Sequence, residues 1–430
     1  MRKLYIIFIC IIITVVAAHA TTPTDTISSL QSHLSYELRY SSGTLLAIDK
    51  YVDKIMKSNQ IHSLAIEVHY NTTPNDSNLF DYAYHYPRLS AGIRYGMNHG
   101  VQMHRDADPA WGSLVPVDYD TPLGNSITLY GTFERPILGG RSWKLAAYLG
   151  TGIGYFHKKY NRSNQIDNEL IGSHLNIFFT GGLVAKWQFA HQWALRGGID
   201  FSHHSNGATN RPNKGANYFG PFVGVEYCWN HQSNQSNQSS QSSQKIQSSQ
   251  NNQEANPFFL DFTLGIGLKT LEEEWQRTQF GTTPDQPDYR TDHFRRYMCY
   301  SLQTSWMYRY GVTRASGAGL DIFYGTYSDH IRKIDEAAGS TVSHSPWSVA
   351  LAARHNVYYR NLSARFAIGY YLYRHMGVRA DNIEKPYYER IGLHYSIPQL
   401  HNISVGFNVK AHLLKADLTE LQVSIPFRLR

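Results

Sequence analysis

A histidine and a serine stand two positions apart at the end of residues 193–205, a segment in which apolar and polar side chains alternate. Alternation with a period of two predicts a β-strand with one apolar face. By parity, His203 and Ser205 fall on that apolar face, about 7 Å apart along the strand. At this separation the side chains can lean together, so that the imidazole takes the hydroxyl proton. The spacing therefore predicts Ser205 as a nucleophile and His203 as its base.

A third polar residue, Asn217, shares this parity at the start of the next predicted strand, 217–229. A hairpin that joins residues 205 and 217 would bring Asn217 beside His203. An amide oxygen there can accept a hydrogen bond from the second ring nitrogen and fix the tautomer, as in Cys-His-Asn enzymes. Glu226 is an alternative acid, but its parity assigns it to the opposite face of the strand. We therefore predict Asn217 as the residue that orients His203.

The same three residues also admit a plainer interpretation. Polar side chains near the end of a membrane-spanning strand often lie at the level of the lipid headgroups without doing chemistry. The pair interrupts an otherwise apolar face, and a third residue of matching parity accompanies it. The pattern by itself leaves the catalytic and the plain interpretation open.

The rest of the chain also alternates like β-strands. Strands of about ten residues favour a membrane barrel over a soluble sandwich, as do Tyr and Trp at segment ends and a final strand containing Phe427 and Leu429. We predict an all-β fold, an antiparallel transmembrane outer-membrane β-barrel of about 16 strands. The candidate strands are 35–47, 61–70, 87–97, 126–137, 143–156, 175–189, 193–205, 217–229, 257–269, 294–310, 314–327, 346–360, 363–375, 387–397, 403–414 and 419–429.

A compositional break divides the chain. Residues 231–254 are almost all Gln, Ser and Asn, which predicts a flexible linker or loop without a core. The flanking regions, 21–230 with the candidate site and 255–430, each contain about eight predicted strands. One wide barrel and two eight-stranded barrels both fit, and we favour one continuous barrel. A barrel of that width would enclose an aqueous lumen, which Lys410 and His412 would line by parity.

The overall composition excludes several classes of protein. The chain has 430 residues, a formal net charge of +7 and a mean hydropathy of −0.41. Its apolar content of 42% is too high for a disordered chain, and three Cys are too few for a disulfide scaffold. The diffuse positive charge suits anionic lipid headgroups better than nucleic acid. Whether Cys228 and Cys299 pair is left open.

The N-terminus has the pattern of a secretory signal peptide. Arg2 and Lys3 precede an apolar stretch over residues 4–16, and Ala18-His19-Ala20 fits a small-x-small cleavage site. An uncleaved membrane anchor is the alternative, but the apolar stretch is too short for one. We therefore expect residues 1–20 to be a signal peptide that is removed on export.

The site motif resembles a known family. His203-His204-Ser205-Asn206-Gly207-Ala208, followed by Pro212-Asn213-x-Gly215-x-Asn217, is similar to the active-site segment of the lipid A 3-O-deacylase family, which is acyloxyacyl hydrolase-like. Gly152-x-Gly154-Tyr155 and residues 171–176 also resemble the family, and the resemblance covers about residues 60–230. It implies an enzyme in the outer membrane of a Gram-negative bacterium, a serine esterase that hydrolyses an acyl ester of lipid A. In the best-known members a Glu occupies the position of Asn217.

The resemblance also implies roles around the nucleophile. Asn206, Gly207 and Asn213 are candidates for the groups that bind the oxyanion, although Asn213 fits plain turn formation beside Pro212 equally well. The candidates for an acyl groove on the lipid-facing surface are Phe201, Phe219 and Val223. Bare lipid contact is the alternative for each of these three.

Outer-membrane phospholipase A is a second resemblance. Those enzymes also carry His-x-Ser-Asn-Gly with an Asn twelve residues after the Ser, which His203, Ser205 and Asn217 match. They use calcium at the site and act as dimers. We rank the deacylase first because of the segment 212–215, and we expect no cofactor unless the protein is phospholipase-like. A non-catalytic channel or scaffold barrel is a further alternative; a membrane lipid is the expected partner, and the oligomeric state is left open.

One other cluster contains possible metal ligands. His104-Arg105-Asp106-x-Asp108 lies in a predicted long loop, where carboxylates could bind a divalent ion. A solvated charged loop is the favoured interpretation. The 21 His of the chain lack the spacing of zinc ligands.

Overall fold

The computed structural model describes residues 33–74, 78–108, 115–229 and 257–428. Within these ranges the chain forms two antiparallel β-barrels, each closed by eight strands. The all-β prediction is therefore confirmed. The predicted signal peptide, 1–20, and the predicted linker, 231–254, lie outside the described residues.

The first barrel is closed by eight long strands. They are β1 (Leu34–Leu46), β2 (Met56–Asn71), β3 (Arg88–Met97), β6 (Ser126–Gly139), β7 (Trp143–Phe156), β8 (Leu175–Gln188), β9 (Trp193–Ser205) and β10 (Ala216–Cys228). The short strands β4 (Val101–Met103) and β5 (Thr121–Pro122) add to one end of β2. The helices α1 (Lys50–Ile55) and α2 (Leu79–Ala83) lie in connections between strands.

The second barrel contains the remaining strands. They are β11 (Phe258–Lys269), β12 (Tyr297–Arg309), β13 (Arg314–Gly325), β14 (His344–Tyr359), β15 (Leu362–Met376), β16 (Tyr387–Ile397), β17 (Ile403–His412) and β18 (Lys415–Arg428). Its connections contain the helices α3 (Glu272–Phe280) and α4 (Ser328–Ala337), a π-helical turn (Arg379–Ile383) and a 3-10 turn (Pro398–Leu400).

The expectation of one continuous barrel is wrong. β1 pairs with both β2 and β10, where Ser35 is opposite Cys228, and β11 pairs with both β12 and β18. Each ring therefore completes its own backbone hydrogen bonds, as a span through lipid requires. An eight-stranded barrel is only wide enough for side chains to fill it. The aqueous lumen expected for a wide barrel is replaced by two packed interiors.

Strand parity separates an apolar outer face from a polar interior. On β1 and β2 the outward-facing Leu38 and Ile66 are 60% and 64% exposed, whereas the inward-facing Arg39 and Glu67 are buried. This is the arrangement of a membrane barrel. None of the helices in the described ranges has the length and apolar character needed to cross a membrane.

Charged side chains fill the first barrel and pair with one another. Asp200 Oδ2 lies 2.9 Å from Arg94 Nη1 and 3.8 Å from Arg39 Nη2. Asp200 Oδ1 accepts hydrogen bonds of 2.7 Å from Tyr148 and from Thr180. Because isolated buried charges are costly, this mutual pairing is what makes so polar an interior stable.

The second barrel is filled in the same way. Lys410 and His412, predicted to line a lumen, are both buried. Lys410 Nζ lies 2.8 Å from Asp417 Oδ2 and donates a 2.9 Å hydrogen bond to Tyr371. Their inward direction follows parity, but paired side chains surround them instead of water. Cys228 and Cys299 are free thiols in different barrels.

The two barrels contact each other at both ends. At one end, Tyr359 and Arg360 each donate a 2.6 Å hydrogen bond to the carboxylate of Asp81, which is in α2. At the other end, Tyr160 donates to the carbonyl of Arg290 at 2.8 Å. The barrels therefore lie side by side, with the connections after β7, β9 and β11 at the same end.

Replacing Asp200 with Ala should destabilise the first barrel by about 3–5 kcal/mol, because it leaves the buried Arg94 without its counter-ion. Urea unfolding of the protein in lipid vesicles would measure the change. The control is Asp106→Ala, which removes an exposed ion pair with Lys57 and should leave the free energy of unfolding nearly unchanged. Equal effects of the two substitutions would contradict the prediction.

Candidate active site

The register of β9 and β10 brings His203 and Asn217 together. They are directly opposite each other, and His203 Nδ1 lies 2.7 Å from Asn217 Oδ1. An amide oxygen only accepts hydrogen bonds, so Nδ1 carries the proton and donates it. The other ring nitrogen, Nε2, is then left with its lone pair, as a general base needs.

Ser205 ends β9, two residues beyond His203 on the same outward face, and opposite Ile177 on β8. It is 7% exposed. In the part of the chain that the structure describes, no hydrogen bond joins Ser205 to His203. Such contacts are often loose without a substrate and shorten when one binds. The strand therefore presents the serine and the histidine on one face without engaging them.

Asn206 carries an unsatisfied donor next to Ser205. Its backbone N–H donates to Asn213 Oδ1 at 2.9 Å, and its own Oδ1 accepts from the N–H of Asn210 at 3.3 Å. Its Nδ2 is buried and has no partner among the described residues. Because the Asn210 contact assigns Oδ1, the free group is the amide donor. A buried donor without a partner is costly unless a ligand uses it.

The other two oxyanion candidates are placed differently. Asn213 uses its Oδ1 to hold the N–H of Asn206, which is the turn-forming role. Gly207 has φ +61° and Ala208 φ +67°, and the turn is closed by Thr209 N–H donating to Asn206 O at 3.2 Å. Gly215 has φ +78°, and a Cβ there would come within 2.6 Å of His203 Cε1. The glycines thus allow the tight loop to fit beside the imidazole.

Residues of the second barrel donate hydrogen bonds to the carbonyl groups of the loop that follows Ser205. Thr419 in β18 donates to Gly207 O at 2.8 Å, and Thr270 donates to Ala208 O through its N–H at 2.8 Å and its hydroxyl at 2.9 Å. In a trans peptide the N–H points away from the carbonyl. The bond to Gly207 O therefore also fixes the direction of the Ala208 N–H.

A charged contact strengthens the same junction. Arg211 is buried and binds the carboxylate of Glu272, at the start of α3, as well as the carbonyl of Thr270. Burial alone would raise the pKa of Glu272, but the combined attraction of Arg211, Arg379 and two lysines outweighs burial and lowers the pKa. Nothing in the sequence indicates these contacts, because they join segments about 60 and 210 residues apart.

The predicted acyl-groove residues lie on the outer face below the histidine. Phe201 and Phe219 are directly opposite each other on β9 and β10, and Val223 follows on the same face of β10. They are 39%, 44% and 47% exposed, respectively. An apolar surface therefore continues from His203 toward the middle of the barrel.

The alternative orienting acid, Glu226, and the candidate metal-binding loop at 104–108 both form ion pairs. Glu226 points into the barrel and binds Arg88, at 3.0 and 3.1 Å, and Lys186, at 2.8 Å. In the loop at 104–108, Arg105 is buried against Glu169, whereas Asp106 is exposed, so the interpretation of a solvated charged loop is wrong for Arg105 alone. The carboxylates of that loop pair with lysines of β2 and α1, as in the 2.7 Å contact between Lys57 and Asp106.

A buried group of possible metal ligands lies inside the first barrel. Donor atoms of Glu37, Glu67 and His69 lie within 4.8 Å of one another. Arg196 contacts Glu37 at 2.8 Å, and Arg39 contacts Glu67 at 3.3 Å. The arginines already neutralise both carboxylates, so the cluster fits an ion-pair network better than a cation site.

Comparison with known proteins adds two family matches. Residues 85–226 match the model described as lipid A 3-O-deacylase (PagL), and residues 258–429 match the model described as acyloxyacyl hydrolase, C-terminal domain. The first match includes His203, Ser205 and Asn217. No curated protein matches the chain significantly.

Solved structures similar to the chain include the outer membrane enzyme PagL, at 14% identity over 44% of this chain and 97% of that one, with a TM-score of 0.26. The copper transporter OprC is 10% identical over 88% of this chain and 58% of its own, with a TM-score of 0.24. A triple mutant of the Rhodopseudomonas blastica porin is 8% identical over 92% and 99%, with a TM-score of 0.15.

Replacing Thr419 with Val should loosen the loop after Ser205, because the carbonyl of Gly207 loses its partner while the side-chain volume is kept. A hydrogen bond contributes about 1 kcal/mol, so amide hydrogen exchange over residues 206–210 should become about fivefold faster. Thr419→Ser keeps the hydroxyl and should exchange like the unaltered protein. Equal exchange in the Val and Ser variants would show that the second barrel does not restrain the loop.

Proposed function

We propose that this chain, which resembles the lipid A 3-O-deacylase family in its first barrel and the acyloxyacyl hydrolase C-terminal domain in its second, is an outer-membrane hydrolase that removes an ester-linked acyl chain from lipid A. The observation that carries the proposal is the 2.7 Å contact between His203 Nδ1 and Asn217 Oδ1 on the lipid-facing side of the strand that ends in Ser205. The substrate of such an enzyme lies in the membrane beside the barrel, so an outward-facing site suits it.

In the proposed mechanism, Ser205 Oγ attacks the carbonyl carbon of the ester and His203 Nε2 takes the hydroxyl proton. The tetrahedral intermediate then releases the sugar hydroxyl, which receives that proton from His203. Water attacks the resulting acyl-serine, again with His203 as base, and frees the fatty acid and Ser205. Asn217 keeps Nδ1 protonated and the ring in place through both steps.

The negative charge on the tetrahedral intermediate needs hydrogen-bond donors close to Ser205. Asn206 Nδ2 is our first candidate, because it is a buried donor without a partner in the described chain. The N–H of Gly207, in the following turn, is the second. Asn213 supports both indirectly, since it holds the N–H of Asn206.

Phe201, Phe219 and Val223 are proposed to contact the acyl chain. Phe201 is two residues before His203 on the same face of β9. Its partner Phe219 is two residues after Asn217 on the same face of the antiparallel strand β10. An acyl chain that leaves the carbonyl at Ser205 would therefore run down this apolar surface in the direction of the bilayer core.

An outer-membrane phospholipase A is the second candidate, and one observation favours it. The residue that contacts His203 is an amide and not an acid, which is the phospholipase pattern of His, Ser and Asn. The first candidate ranks higher because of the segment Pro212-Asn213-x-Gly215. Its Asn213 accepts the hydrogen bond from the N–H of Asn206, and its Gly215 has no Cβ that would clash with His203. We propose a reaction without a metal or other cofactor; calcium belongs to the second candidate.

Ser205→Ala and His203→Ala should each reduce fatty-acid release to background, because the first lacks the nucleophile and the second the base. Mass spectrometry would measure release from lipid A by the purified protein in detergent. Unchanged release in both variants would exclude Ser205 and His203 as the catalytic pair, and no release by the unaltered protein would support a non-catalytic scaffold instead. Release from phosphatidylethanolamine in preference to lipid A, lost on adding EDTA, would assign the protein to the phospholipase type.

Asn206→Asp should lower kcat by about 100-fold or more, as expected for the loss of one oxyanion donor. The substitution keeps an oxygen to accept from the N–H of Asn210 and replaces the free Nδ2 donor by a second oxygen. Asn213→Ala is the comparison, since it loosens the loop without removing the donor and should have a smaller effect. An unaltered kcat in Asn206→Asp would exclude this side chain from oxyanion binding.

A further inference from the structure

A cavity of about 530 Å³ lies between the connections of the two barrels, at the end where the candidate active site is found. The first barrel contributes Lys159 and His174, from the connection between β7 and β8, and Asn210 from the loop after Ser205. The second barrel contributes the residues just before β12, including Arg295 and Arg296. The cavity therefore exists only where both barrels meet.

The charges that line this cavity are mainly positive. Lys159, Arg295 and Arg296 supply three cations, against the single carboxylate of Asp292. The side chain of Asp292 lies beside that of its neighbour His293, with 3.6 Å between Asp292 Oδ1 and His293 Nε2. Across the described ranges, none of the three cations forms an ion pair with a carboxylate. This differs from the barrel interiors, where the charged groups are paired with one another.

The two arginines of the cavity have donors that are left available. Neutral His174 adds no donor, because its Nδ1 donates to Phe156 O at 2.8 Å and its Nε2 then carries the lone pair. Arg296 uses Nε to donate to Thr209 O at 3.1 Å, which leaves both of its terminal nitrogens. The guanidinium of Arg295 lies 5.2 Å from the centre of the Tyr297 ring without another polar contact among the described residues. Guanidinium groups bind phosphate through two parallel hydrogen bonds, and ammonium groups add a point charge.

The cavity is joined to the loop that contains the oxyanion candidates. Asn210 lines it and donates to Gly172 O at 2.6 Å, while its N–H holds the side chain of Asn206. Arg296 binds the carbonyl of Thr209 in the same loop. A group bound in the cavity would therefore lie beside the segment that begins at Ser205.

We propose that this cavity binds a phosphate group of the substrate lipid's headgroup while the ester of that lipid lies at Ser205. The inference rests on the proposed function. Phosphate is the anion that a membrane lipid carries at the level of its headgroup, and connections at a barrel end lie at that level. The second barrel would thus supply the part of the site that recognises the headgroup.

The test compares lipid A with the same lipid after removal of its phosphates. Arg295→Gln and Lys159→Gln change one wall residue from each barrel, and each should lower kcat/KM for the phosphorylated lipid about tenfold, the usual effect of losing a charge-assisted hydrogen bond. Neither should alter kcat/KM for the dephosphorylated lipid. A variant that is merely misfolded would lose activity on both lipids.

The matched control is Arg332→Gln, which makes the same charge change in α4, at the same end of the second barrel but outside the cavity. Its exposed contact with Asp329 contributes little. The proposal would be overturned if the ratio of kcat/KM for the phosphorylated lipid to kcat/KM for the dephosphorylated lipid were the same in Arg295→Gln, Lys159→Gln and Arg332→Gln. A second result would also overturn it: inorganic phosphate changes the activity only when Arg295 is present, while kcat/KM does not discriminate between the two lipids. The cavity would then bind a free anion. If the unaltered protein released no fatty acid from any lipid, the proposed function itself would fail.

Discussion

Closure of the backbone hydrogen bonds within each barrel is the constraint on which the rest of this structure depends. A strand in lipid has no water to pair its N–H and C=O groups, so it must pair with a strand on both sides. The pairing of β1 with β10 meets that requirement before the second half of the chain begins. The second half closes separately through β11 and β18. Two narrow rings result, and their width decides what each interior can contain.

The narrow interiors explain why the candidate site is on the outside. With room only for side chains, the buried carboxylate of Asp200 must be neutralised by Arg39 and Arg94, and Asp417 by Lys410. Groups committed in this way are unavailable to a substrate. The outer face carries few polar side chains, so His203, Ser205 and Asn217 stand out there against an apolar surface that meets lipid.

The second barrel contributes to the candidate site through contacts with one loop. Thr419 and Thr270 hold the carbonyls of Gly207 and Ala208, and Arg296 holds that of Thr209. Three consecutive peptide groups that follow Ser205, the proposed nucleophile, are therefore oriented by a domain that is remote in sequence. This gives residues 257–428 a physical role beside the family match of the first barrel: they restrain the loop and form one wall of a cationic cavity.

The sequence by itself determined the strands and their faces, because an alternation of period two is a local property of the chain. The same local parity predicted the contact between His203 and Asn217, since a single hairpin joins them. It could not decide between one barrel and two, because the choice depends on whether β1 pairs with β10. Likewise, only the tertiary structure brought Thr419 to Gly207, and Arg295 and Lys159 to the same cavity. Such contacts join surfaces of two closed barrels, and no periodicity within a strand records which surfaces will meet.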